Sequence, residues 1–159
     1  MKKSTTDPVH LAVLRHDIEE LSVAIRNGSD VNALDREGRT ALFYTAKDGE
    51  MEMTSELLRG GVNPNIQDKR LETALHFAAR YYQLKIAQRL LESGARVDVQ
   101  DIFGNTPLGR AVFDSRGRGG MISLLLSHGA DKTLPNKHGV SPEKLANTIA
   151  NYNVRRFLE

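Results

Sequence analysis

The chain has no cysteine and no tryptophan. The first absence excludes disulfides and thiolate metal ligands, and it fits a reducing compartment such as the cytoplasm. The second removes one of the three residue types that dominate binding hot spots, leaving tyrosine and arginine. An excess of one charge is also missing. The 22 basic and 20 acidic side chains give a formal +2, too balanced for the footprint of a nucleic-acid-binding protein. No uncharged apolar run approaches the roughly 18 residues that suggest a membrane span. The polar lead-in Met1 to Pro8 has no apolar stretch behind it, so no signal peptide is expected either.

The marks of catalysis are equally scarce. There is no Gly-x-Ser-x-Gly and no His-Glu-x-x-His. Gly117-Arg118-Gly119-Gly120 lacks the preceding strand and the Lys-Ser/Thr ending of a phosphate loop. His10, His16, His76, His128 and His138 form no metal-ligand spacing, and Glu19-Glu20 and Glu50/Glu52 read as solvated helix faces. No catalytic residue, metal ligand or cofactor is assigned, and a non-enzymatic protein is expected.

What the chain does have is a period. Asp35, Asp68 and Asp101 fall 33 residues apart, as do Thr40, Thr73 and Thr106. Gly28, Gly61 and Gly94 keep the same step, and Gly129 follows 35 later because Ser115–Gly120 lengthens a turn. A fixed period of this size marks a stacked repeat array. Each unit reads as a polar turn, an apolar helix, a short turn, a second helix and a stopping glycine. One such unit cannot cover its own apolar face, so neighbours must stack. Five units are expected, at 7–34, 35–67, 68–100, 101–135 and 136–159, behind a flexible lead-in at 1–6.

Thr106-Pro107-Leu108 and Thr73-Ala74-Leu75-His76-Phe77-Ala78 resemble the Thr-Pro-Leu-His-x-Ala signature of the ankyrin-repeat family. Leu90-Leu91-Glu92-Ser93-Gly94-Ala95 and Leu125-Leu126-Ser127-His128-Gly129-Ala130 resemble its second helix and glycine stop. The resemblance covers about residues 8–158. It implies an all-α solenoid of helix-turn-helix units with short β-hairpin tips, the first and last units serving as caps. It also implies that His76 bonds the turn backbone. Phe43 occupies the same position in unit two, so that bond should be missing there. Leu71 and Tyr82 replace glycines of the two tight turns, which demands either a local shift or a strained backbone.

In this family ligands usually meet the hairpin tips and the exposed side of the first helix. Carried over by register, the candidate partner-binding residues are Arg36, Arg39, Lys69, Arg70, Ile102, Phe103, Asn105 and His138 at the tips. Arg80 and Tyr81 join them from the first helix of unit three and Tyr82 from the turn after it, with Arg116 and Arg118 from the insertion. The tip edge is net basic, so a protein partner with an acidic surface is expected. The chain itself is expected to be a cytoplasmic monomer. The insertion and the ending Ile149-Ala150-Asn151-Tyr152 look like small stand-alone bacterial ankyrin proteins, some of which act as inhibitors or toxin-neutralising immunity partners. The competing reading is nucleic-acid binding through the basic edge with Arg155 and Arg156, against which stand the near-neutral charge and the lack of a stacking platform.

Overall fold

The computed structural model describes residues 7–149 and 153–159. Among them are nine α-helices and no strand. Inner helices α1 (Pro8–Leu14), α3 (Ala41–Asp48), α5 (Ala74–Arg80), α7 (Pro107–Asp114) and α9 (Pro142–Thr148) stack in chain order. Outer helices α2 (Ile18–Arg26), α4 (Met51–Arg59), α6 (Leu84–Glu92) and α8 (Gly120–Ser127) form a second row against them.

Local chemistry sets the helix starts. The Asp7 carboxylate accepts from the amides of Val9 at 3.0 Å and His10 at 3.2 Å, with Pro8 at the first helical position. Thr106 and Ser141 cap α7 and α9 in the same way. Helices this short do not hold in isolation, so their stability comes from packing between units. The 33-residue step places Leu42, Leu75 and Leu108 in one buried column of the inner row. Leu57, Leu90 and Leu125 make the matching column of the outer row.

Two ladders tie the units together outside this core. In the loops after the outer helices, Asn32 Oδ1 accepts from the Asn63 amide at 2.8 Å. Asn65 Oδ1 accepts from Arg96 at 2.8 Å, and the Asp98 carboxylate from Asp131 at 3.1 Å. At the opposite edge, each tip amide donates to the carbonyl of the tip before it. These bonds run Lys69 to Glu37 at 2.9 Å, Ile102 to Arg70 at 2.8 Å and Lys137 to Phe103 at 3.0 Å.

The tips are tight turns instead of hairpins with paired strands. In unit two the Asp35 amide donates to the Arg39 carbonyl, and Gly38 closes back on Asp35. The Asp35 side chain then accepts from the amides of Glu37 and Arg39. Asp68, Asp101 and Asn136 repeat this arrangement. An Asp or Asn side-chain oxygen inside a five-residue turn takes up the amides that a longer strand ladder would otherwise use.

The turn positions that lost their glycines keep the glycine geometry. Leu71 has φ 57°, beside 77° at Gly38 and 81° at Gly104 in the same register. Tyr82 has φ 58° where Gly49 has 82°. The backbone has not shifted, so each side chain carries a left-handed penalty of roughly 1–2 kcal/mol. His16, at φ 55°, takes the equivalent place in unit one, where α1 stops at Leu14. Its imidazole Nδ1 lies 2.8 Å from Glu50 of the next unit.

At the C-terminal end a 3₁₀ turn, Arg155–Phe157, leaves Val154 and Leu158 buried. Phe157 lies so close to Gly119 that a Cβ there would come within 2.2 Å of the ring. Of the segment expected to close the stack, Ala150, Asn151 and Tyr152 lie outside the described residues, as does the lead-in 1–6.

Candidate functional site

The tip bonds fix the turn of every unit from two to five along one edge. The structure sorts the predicted site residues on that edge by what their side chains already hold.

Arg36, Lys69, Arg70, Ile102, Phe103 and His138 are exposed on the tips. Leu71 is exposed beside them, and the Arg70 guanidinium lies 5.9 Å from the centre of the Phe103 ring. Among the described residues Arg36, Lys69, Arg70 and Lys137 make no ion pair; Glu37 is the acidic exception on this edge.

Arg39, Arg80 and Asn105 are committed internally. Arg39 Nε donates to the buried Asp68 carboxylate at 2.9 Å. Arg80 pairs with Glu72, whose side chain is only 2% exposed, and Arg110 sits 3.7 Å from Glu72 and 3.4 Å from Asp101. Arg39 and Arg80 also lie over the Phe77 ring, at 4.9 and 5.3 Å. A buried carboxylate left without its cation is costly, so these arginines hold the groove together. Asn105 accepts from the Asn136 side-chain amide at 2.9 Å, and its carbonyl meets His76. Sequence reasoning missed Arg39 with Asp68 because the two lie in neighbouring units, and it missed Arg80 with Glu72 because, within one unit, the acid sits in the turn and the arginine at the far end of the first helix.

Tyr82, Arg116 and Arg118 gather at the insertion. The Arg118 guanidinium stacks 3.8 Å from the Tyr82 ring centre, and the Tyr82 hydroxyl accepts from the Gly120 amide at 3.2 Å. The strained Tyr82 backbone thus places a ring that pins the longer turn and starts α8. Arg116 is itself left-handed, at φ 49°. Tyr81, at the end of α5, remains exposed, 6.3 Å from Phe77.

Electrostatics follow from burial. Burial alone would push the Asp35 carboxyl up, but hydrogen bonds from Tyr44 and from the Arg39 and Glu37 amides hold it below the usual range. Burial and the same Asp35 contact push the Tyr44 phenol up to about 12. Burial raises Asp114 despite Arg110, Arg80 and Arg116 nearby, and lowers His76. No group of three or more metal-ligating side chains occurs among the described residues.

His76 does what the resemblance implied. Its Nδ1 accepts from the Thr73 amide at 3.1 Å, which leaves Nε2 to donate to the Asn105 carbonyl of unit four at 3.1 Å. At Phe43 that bond is missing, as expected, and the buried Thr40 hydroxyl has no hydrogen-bond partner among the described residues. His10 was missed: it spans from the Asp7 carboxylate to the Arg39 carbonyl, bracing unit one to unit two. Asp7-Pro8-Val9-His10 sits 66 residues before the unit-three signature, so the period alone would have found it.

Phe113 was missed as well. It lies 33 residues after Arg80 and is 65% exposed. It walls a depression of about 320 Å³ shared with Gly109, Arg110, His138, Val140 and Leu145. A second, shallower groove of about 730 Å³ runs along the outer helices, with Met51, Leu84 and Leu124 in its lining.

The family model for ankyrin repeats, in three copies, matches residues 9–101 and 60–136. No curated protein matches the sequence.

Proposed function

The chain belongs to the ankyrin-repeat family, whose repeats are generally protein–protein interaction modules, and on that premise we propose that it binds a protein partner with an acidic surface through its tips and inner-helix face. The observation that supports this most is the tip edge. Successive turns are tied amide to carbonyl, and they present Arg36, Lys69, Arg70 and Lys137, free of ion pairs among the described residues, beside exposed Leu71, Ile102 and Phe103. Cations around apolar anchors speed encounter with an acidic surface and give it something to bury. The chain acts by covering its partner, as an inhibitor; neutralisation of a toxin by an immunity protein is the narrower form of that role. It works as a cytoplasmic monomer, in keeping with the lack of cysteine. No described helix is long and apolar enough to cross a membrane.

The test is affinity purification from the source cell with three baits. Wild type recovers a stoichiometric protein, and Arg36→Glu/Lys69→Glu/Arg70→Glu loses it. Lys85→Glu/Arg89→Glu, which alters the outer groove, keeps it. Loss with the outer-groove bait alone would move the site to the other face.

A further inference from the structure

We propose that the depression over Gly109 is the anchor pocket of this surface, and that it receives one large apolar side chain from an acidic segment of the partner protein. This rests on the protein-binding reading above and narrows it to one junction.

The pocket has an origin in the repeat. His10, Phe43, His76 and Gly109 share one register position. In units one and three an imidazole reaches from it to the next tip. In unit two the Phe43 ring packs edge-on against Phe77 at 5.4 Å. In unit four there is no side chain to do either. What remains between units four and five is a small void of about 10 Å³ beneath and the 320 Å³ depression above. A Cβ at Gly109 would meet only Thr106 Oγ1 at 3.7 Å and Pro142 Cγ at 3.9 Å, so neighbouring atoms do not require glycine.

The walls indicate the occupant. Phe113, Val140 and Leu145 are apolar, while Arg110 and His138 stand at the polar margin. The volume lies at the small end of the roughly 300–1,000 Å³ range of ligand sites, a size for a side chain more than for a cofactor. The pocket adjoins the exposed tip residue Lys137 and, further along the same edge, exposed Arg70, Lys69 and Arg36. A peptide chain that seats an apolar residue here continues along that basic edge, where Asp or Glu is the complementary residue.

The experiment selects binders from a displayed library of random dodecapeptides on the immobilised full chain. Enriched peptides are resynthesised with a fluorescent label and titrated by anisotropy against wild type, Gly109→Leu, Phe113→Ala and Arg36→Glu/Lys69→Glu/Arg70→Glu. The proposal expects peptides with one Phe, Leu or Trp flanked by acidic residues. Gly109→Leu, which fills the pocket, and Phe113→Ala, which removes an exposed wall, should each weaken binding by about tenfold or more. The Phe113 variant should melt at the wild-type temperature, which separates lost binding from lost folding. Acidic peptides that bind both pocket variants as well as wild type, yet fail on the triple tip variant, overturn the pocket and leave the protein-binding reading standing. Enrichment of uncharged apolar peptides overturns the acidic partner. No enrichment at all overturns both readings.

Discussion

The junction between units three and four and the junction between units four and five are built from the same register, yet one is closed and the other open. At the first, the fully buried His76 bonds Thr73 of its own unit through Nδ1 and crosses to the Asn105 carbonyl of unit four through Nε2, and Arg80 and Arg110 hold Glu72 and Asp101 around it. At the second, Gly109 supplies no side chain, and Phe113 and Leu145 are left lining a depression. The difference teaches that a repeat array can give up cohesion at one joint, and the groove vacated there is where a partner gains most by burying apolar surface. The junction between units two and three is the control. It too lacks the imidazole, but Phe43 against Phe77 and Arg39 with Asp68 close it by other means.

The sharpest way to break this comparison is to cut the closed joint. Arg80→Ala strands the buried Glu72 with Arg110 at 3.7 Å as its nearest cation, and should cost about 3–5 kcal/mol in urea denaturation. A cost below about 1 kcal/mol would return Arg80 to the set of free binding residues. His76→Ala should follow at about 2–4 kcal/mol, from a lost cross-unit bond plus a cavity.

The hydroxyls of the two signature threonines sharpen the contrast. Thr73→Val removes a hydroxyl 3.0 Å from His76 Nδ1 and should cost about 1 kcal/mol. Thr40→Val removes a buried hydroxyl with no partner and should be neutral or stabilising. Equal losses in the two variants would contradict the account of the missing imidazole at Phe43.

The closed joint should also titrate. Burial lowers the His76 pKa in the folded state below its ordinary 6.5, so as pH falls through that value the unfolded chain takes the proton first. Stability from this site is full above about pH 6.5 and declines below it, by at most about 1.4 kcal/mol per pH unit. His76→Gln should therefore be less stable at neutral pH but flatter between pH 6.5 and 5. Parallel curves for the two proteins would contradict this.

The smallest effect concerns backbone strain. Leu71→Gly should gain about 1 kcal/mol, because an exposed side chain is given up for relief of the left-handed penalty. Tyr82→Gly should show no such gain, because the ring also holds Arg118 and the Gly120 amide.

Much of this was legible in the period. The second helices Ile18–Arg26 and Leu84–Glu92 end just before Gly28 and Gly94, the stopping glycines that the period marks. The missing bond at Phe43 was legible too, because it follows from one residue in one register. What could not be seen was which charges cancel. Arg39 meets Asp68 only because the next unit's turn is set down beside it, a relation of stacking distance more than of motif. The pairing of Tyr82 with Arg118 was hidden for a different reason: the two-residue insertion breaks the register that located everything else. Phe113 and His10 were within reach of simple counting by 33, since each repeats a position already named in a neighbouring unit.

Hydrogen exchange on the chain, alone and with the stoichiometric protein it co-purifies with, tests the central claim most directly. The account predicts slowed exchange at the tip amides of residues 36–39, 69–72, 102–105 and 137–140, with no change along α4, α6 and α8. Protection confined to those outer helices, around Met51, Leu84 and Leu124, would contradict it.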